Sequence, residues 1–290
     1  MKKILVLSGG GSFGCFEMAV VSALILAGKG SWDLITGVSA GSFNASYLSS
    51  IEKDKEIDNI DLFKKLWCDI NNSLVFHSEY FLNGLSVYNS DKYKQTVKSI
   101  YDDKLPIRPV MISATSLNSS SSRIFRNKDI EEYGFTDIVM ASSSIPILFQ
   151  PYFFLNEFYI DGGFTSNILL DESINYCLKN FPNEEVQIDV IVCSKKLNPE
   201  IIDKNNLNMT KLVEKLIGII EQQVEYFEIM KNIKTPSNIT VKVYEPINKP
   251  DISFLNFDKS DELWNYGFNL SNLNIYELQK EQQIQSCNIL

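Results

Sequence analysis

Apolar residues in the first half of the chain come in short runs that end at glycine-rich turns. Ile4-Leu5-Val6-Leu7 leads into Ser8-Gly9-Gly10-Gly11-Ser12-Phe13-Gly14 and then a helical stretch from Cys15 to Ala27. Leu34-Ile35 leads into Gly37-Val38-Ser39-Ala40-Gly41, and Phe158-Tyr159-Ile160 stops at Asp161-Gly162-Gly163. Short apolar runs bounded by turn signals predict buried strands, and longer stretches with helical periodicity between them predict an α/β chain. Further helices are expected over Ile60 to Val75, Asp91 to Tyr101, Gly134 to Ser142, Met209 to Lys231 and Asp258 to Phe268. Further strands are expected over Arg108 to Thr115, around Ile124-Phe125, over Val186 to Cys193 and over Ile239 to Tyr244, with the serines of Asn118 to Ser122 as a hairpin tip. The glutamine-rich tail after Asn274 reads either as a helix or as disorder. No internal repeat is visible, and no apolar run approaches the ~20 residues needed to span a bilayer.

The turns carry the chemistry. A G-x-S-x-G sequence between a strand and a helix is the pattern of a sharp elbow that exposes a serine Oγ, its glycines removing the Cβ atoms that would block close approach. Ser39 is therefore the candidate nucleophile and Gly37 and Gly41 its elbow glycines. The earlier loop presents backbone N–H groups at a helix N-terminus, where the dipole also favours negative charge. Gly9, Gly11 and Gly14 satisfy G-x-G-x-x-G, so the anion could be a dinucleotide pyrophosphate; it could equally be the oxyanion formed when Ser39 attacks a carbonyl. A dinucleotide site needs an acid at the carboxyl end of the second strand. Asp33 precedes Leu34-Ile35 and is at the wrong end. The oxyanion reading is favoured, with both glycine motifs capping neighbouring strands at one sheet edge.

The nucleophile needs a base, and the chain has a single histidine, His77. It lies in Asn71-Asn72-Ser73-Leu74-Val75-Phe76-His77-Ser78, which reads as a helix running into a polar loop, and it fits neither the chain order nor the placement of a triad histidine. A carboxylate is the better base. Asp161 ends an apolar strand and is followed by Gly162 and Gly163, which permit close backbone approach. An Asp-Gly pair alone most often marks an ordinary turn; together with the two other strand-end motifs it suits a Ser-Asp dyad. An aspartate of ordinary pKa near ~3.9 is a weak base, so such a dyad requires an apolar setting that raises its proton affinity, or transfer concerted with attack.

These residues resemble the patatin-like phospholipase family. The resemblance rests on Ser8 to Gly14 as oxyanion loop, Gly37 to Ser42 as nucleophile elbow, Asp161-Gly162-Gly163 as the acid motif, and Ala141-Ser142-Ser143-Ser144-Ile145-Pro146 with Phe149 and Pro151 as the block preceding the acid. The four blocks stand in the family's order within roughly the first 165 residues. The resemblance implies a three-layer α/β/α fold with a mainly parallel central sheet. It implies a lipid acyl hydrolase in which Ser39 attacks the ester, Asp161 accepts its proton, and backbone N–H groups of the loop that contains Gly9, Gly10, Gly11 and Gly14 stabilise the oxyanion. No cofactor and no metal are implied. The chain departs from many relatives in having Phe13 where they carry a lysine or arginine, which motivates an alternative reading as a patatin-fold protein that binds lipid or a partner without turnover.

Composition bounds these readings. At 290 residues, with no Pro/Gly/Ser-rich linker, one domain over 1–290 is expected, its motifs confined to about 1–170. A net charge of −9 argues against nucleic acid as ligand and against electrostatic adhesion to anionic lipid. The expected partner is a phospholipid or other acyl-ester lipid. The five cysteines show no paired spacing, and the start Met1-Lys2-Lys3 leads into a strand too short for a signal peptide, so a cytoplasmic location is expected, with membrane contact local if it occurs. Candidate contact regions are Tyr80-Phe81-Leu82, Pro151 to Leu155, and the lysines from Lys92 to Lys104. For each, a core or solvated-surface role is the stronger reading.

Overall fold

The computed structural model describes residues 1–76, 85–193, 209–232, 234–248 and 250–280. Its strands are β1 (Lys2–Leu7), β2 (Leu34–Val38), β3 (Val110–Ser116), β4 (Ser121–Arg126), β5 (Tyr152–Phe154), β6 (Glu157–Ile160), β7 (Val186–Ile191), β8 (Lys234–Thr235), β9 (Ile239–Pro246), β10 (Leu273–Glu277) and β11 (Gln279–Lys280). Its helices are α1 (Gly14–Leu26), α2 (Ala40–Ser49), α3 (Ile60–Cys68), α4 (Asn72–Val75), α5 (Asp91–Tyr101), α6 (Asn127–Tyr133), α7 (Phe135–Ser142), α8 (Leu170–Asn180), α9 (Met209–Lys231) and α10 (Ser260–Phe268).

Nine strands form one sheet in the order β10-β9-β7-β1-β2-β3-β6-β5, with β4 also paired to β3. The centre, β9-β7-β1-β2-β3, is parallel, and the flanking pairings of β10, β4, β6 and β5 are antiparallel. Both faces of the central strands are covered, which is why these strands read as continuous apolar runs. On β1, Leu5 and Leu7 join the layer of α1, α2 and α7, whereas Ile4 and Val6 join the layer of α8. The result is a three-layer α/β/α arrangement with a largely parallel sheet.

Several element boundaries differ from the sequence expectation. The helix expected over Ile60 to Val75 is two helices, because Asn71 stops the chain in an extended conformation and caps α4 by accepting from Ser73 N. Gly134, at φ +82°, separates α6 from α7. The tail after Asn274 begins as neither helix nor disorder: Leu273–Glu277 pairs antiparallel with β9, and Gln279–Lys280 pairs with β8. The tail's last ten residues, with His77, Tyr80-Phe81-Leu82 and Cys287, lie outside the described residues.

Candidate active site

β1 and β2 are adjacent and parallel, with Leu7 level with Gly37, so the two glycine motifs emerge side by side at the carboxyl edge of the sheet. Sequence fixes the second turn tightly. A Cβ on Gly37 would lie 2.1 Å from the Gly41 carbonyl oxygen, and one on Gly41 would lie 2.6 Å from the carbonyl oxygens of Leu7 and Ser8. Only hydrogen at both positions lets α2 start this close to β1 and β2. Ser39 stands between them at φ 52°, ψ −120°, a conformation that costs a non-glycine residue on the order of 1–3 kcal/mol. Its backbone N–H donates to Ser142 Oγ at 2.9 Å, which helps to hold the turn.

The acid arrives from the other side. β6 runs antiparallel to β3, with Ile160 level with Thr115, and the next residue, Asp161, is fully buried beside the elbow. Ser39 Oγ donates to Asp161 Oδ2 at 2.5 Å. Asp161 Oδ1 accepts from Gly163 N at 2.8 Å, its backbone N–H donates to the Ser144 carbonyl at 2.9 Å, and its carbonyl accepts from Thr115 Oγ1 at 2.9 Å. Burial drives the carboxyl up to about 7, against the pull of the Ser39 hydroxyl and the Gly163 N–H. The group is thus a base near neutral pH instead of a permanently ionised carboxylate. Gly162 packs on the Ser113 carbonyl, where a Cβ would come within 2.5 Å.

The first loop lies on the opposite side of Ser39. The Gly9 N–H is occupied by Asn167, through its carbonyl at 3.3 Å and its Oδ1 at 3.2 Å, and the Gly14 N–H by the carbonyls of Gly11 and Ser12. Ser12 N donates to the Phe254 carbonyl and Phe13 N to that of Gly10. Among the described residues no protein acceptor meets the N–H groups of Gly10 and Gly11, which are left as donors for a ligand. Of the four loop glycines, Gly9 and Gly14 therefore shape the loop, while Gly10 and Gly11 carry its available N–H groups. Gly11, at φ +57°, lines the same cleft as Ser39. Phe13 is fully buried and packs edge-on against Phe16, so the side chain that replaces a basic residue belongs to the core.

That cleft is narrow and opens beside Ser39 and Gly11. Its walls include Phe43, Trp67, Val75, Phe76 and Phe149, and among the described residues none that lines it is charged. One wall is tied to the loop: Trp67 Nε1 donates to Asn44 Oδ1 at 2.8 Å, and Asn44 Nδ2 donates to the Gly14 carbonyl at 2.9 Å and to Glu17 Oε2 at 2.8 Å. Burial raises the Glu17 carboxyl well above its ordinary value. The arginines lie elsewhere; Arg108 is paired with buried Glu56, and Arg123 with Asp129.

The elbow, the buried acid and the first loop converge on one uncharged cleft, and a family profile described as patatin-like phospholipase matches residues 5–174, which span all of them. The chain belongs to the patatin-like phospholipase family. Patatin-like phospholipase domain-containing protein 7 of Rattus norvegicus is 30% identical over 128 residues, covering 44% of this chain and 8% of that protein. This patatin-like chain thus spans less than a tenth of that relative's length. A crystal structure of VipD from Legionella pneumophila aligns over 95% of this chain and 68% of that one, with a TM-score of 0.42 and 13% identity.

Sequence reasoning missed Asn167, whose side chain joins Gly9 to Glu225 by accepting at Oδ1 and donating from Nδ2 at 2.9 Å. It also missed Glu228, which accepts from the backbone N–H groups of Asn167 and Ile168 and which burial raises to about 8. Partners more than fifty residues apart leave no local signal. Ser142 and Ser144 were visible only as part of the block before the acid. Among the described residues no helix is long and apolar enough to cross a membrane.

Proposed function

We propose that this chain is a lipid acyl hydrolase of the phospholipase A or lysophospholipase type, acting through a Ser39–Asp161 dyad. The observation that carries the reading is the 2.5 Å hydrogen bond from Ser39 Oγ to a fully buried carboxylate, made at the edge of an apolar cleft with no charged wall among the described residues. An acyl chain suits that cleft, with the polar remainder of the lipid outside it.

In this mechanism Ser39 Oγ passes its proton to Asp161 Oδ2 as it bonds to the ester carbonyl carbon. The carbonyl oxygen becomes an oxyanion that accepts from the Gly10 and Gly11 N–H groups, which have no protein acceptor among the described residues. Collapse of the tetrahedral intermediate breaks the ester C–O bond, and the leaving alcohol takes the proton from Asp161. Water then gives a proton to Asp161 while its oxygen bonds to the acyl carbon; the fatty acid leaves and Ser39 regains its hydrogen. The raised proton affinity of Asp161 suits both directions of transfer at neutral pH.

The test is covalent labelling with a fluorophosphonate, combined with mass spectrometry of fatty acids released from a panel of phospholipids and lysophospholipids. Ser39 should be the labelled residue, and Ser39→Ala should abolish labelling and release together. Binding of lipid without labelling or release would favour the non-hydrolytic reading instead.

A further inference from the structure

Helix α9 is amphipathic in the reverse of the usual sense. Its buried row is Val213, Ile217, Glu221 and Glu225, while Leu212, Leu216, Ile219, Ile220, Phe227 and Met230 are exposed, Phe227 by 69%. Positions 212, 216, 219, 220, 223, 227 and 230 follow one helical face, a strip about 27 Å long at 1.5 Å per residue. Surface helices ordinarily turn such residues to the core.

The inward carboxylates explain the orientation. Glu225 and Glu228 hold Asn167 and Ile168, and Asn167 in turn holds Gly9 of the first loop. Glu221 Cγ lies 3.3 Å from where a Cβ on Gly163 would stand. The helix therefore crosses directly over the Asp161-Gly162-Gly163 turn, with its apolar row turned to solvent.

Charge points to the occupant. In a chain with 36 acidic and 27 basic residues, the exposed positions of α9 from Leu212 to Met230 carry no charged side chain; Glu221 and Glu225 are buried and Glu214 and Glu228 lie off the row. Lys231, just past the strip, is ion-paired with Asp171 and belongs to the fold. An uncharged apolar strip on so acidic a chain matches the hydrocarbon boundary of a lipid layer, not its headgroup charge. The strip exposes on the order of 600 Å², at the top of what monomers usually show and short of the ~800 Å² per partner of a standard stable interface.

We propose that α9 docks the protein on a zwitterionic phospholipid bilayer, its apolar row in the interfacial layer and its axis along the surface. The docking needs no turnover, so it is tested apart from the proposed chemistry. Ser39→Ala protein is floated with phosphatidylcholine vesicles, which it leaves intact, alongside the same protein carrying Leu216→Asp and Phe227→Asp. The parent should float, should still float in about 0.5 M salt because the contact is apolar, and should lose about tenfold or more of its vesicle partitioning in the double variant. If the aspartates lower the melting temperature, the comparison is made with Leu216→Gln and Phe227→Gln. A parent that does not float, flotation lost in salt, undiminished flotation of the folded variant, or a lipid-free dimer that the substitutions split would each overturn the proposal. Fluorophosphonate labelling of Ser39 in the unsubstituted protein reports on the proposed dyad independently of all four results.

Discussion

Replacing Asp161 by asparagine should stabilise the fold at neutral pH while ending turnover. In the folded protein this carboxyl is raised from 3.8 to about 7 by burial. Between those values the native state keeps a proton that the unfolded chain has released, so stability falls as pH rises through the window and levels off above it. The full difference corresponds to on the order of 4 kcal/mol, of which roughly 2 to 3 kcal/mol develops between about pH 5 and about pH 8. Asparagine has no charge to desolvate, and its Oδ1 can still accept from Gly163 N, where the native contact is 2.8 Å. Urea denaturation of both proteins, followed by circular dichroism across that pH range, gives the stability difference, in which buried Glu228 and Glu17 cancel. The variant's advantage should grow by roughly 2 to 3 kcal/mol toward the alkaline end. A difference that stays flat, with two-state unfolding in both proteins, would refute desolvation as the source of the base's proton affinity. The same carboxyl should make kcat/KM of the wild type rise with pH and reach a plateau above about 7, since only the deprotonated form accepts the serine proton.

Gly11→Val places a Cβ 2.3 Å from the Phe254 carbonyl at a backbone φ of +57°; by displacing an oxyanion donor it should lower kcat by about 3 kcal/mol, or two orders of magnitude, with KM little changed. His77→Ala should leave ester hydrolysis within about twofold, because the Ser39 hydroxyl is bonded to a carboxylate; an inactive, folded His77 variant would remove the two-residue scheme. Asn167→Ala leaves the Gly9 N–H only its backbone acceptor and removes the side-chain link from the first loop to Glu225 of α9. It should reduce kcat about tenfold or more while a soluble short-chain ester still binds with its former KM, and a change confined to melting temperature would limit Asn167 to a structural part.

The elements legible in the sequence were those whose cause is local. The elbow was readable because Gly37 and Gly41 are demanded by contacts at 2.1 and 2.6 Å, and the central strands because burial on both faces leaves unbroken apolar runs. The long helix over Met209–Lys231 matches its expected span, yet its reversed orientation was hidden, since apolar periodicity does not say which face a helix buries. Asp161 was legible as a strand-end acid, although the strand runs antiparallel to its neighbour. What could not be read were pairings across the chain. Leu273–Glu277 is a strand only because β9 offers it an edge, and Asn167 matters only because Gly9 and Glu225 lie on either side of it.

The position of β1 has a practical meaning for anyone cutting or grafting this protein. The segment matching the family profile ends at 174, but β1 is flanked on one side by β2 and on the other by β7, whose residues begin at Val186 and lean in turn on β9. A fragment trimmed to the profile would retain every motif and yet bare the backbone edge of what remains of β1, an invitation to self-association. A transplantable unit extends past β9 at least to Phe257, which lines the cleft, so a chimera intended to inherit the proposed dyad must inherit the far side of the sheet as well.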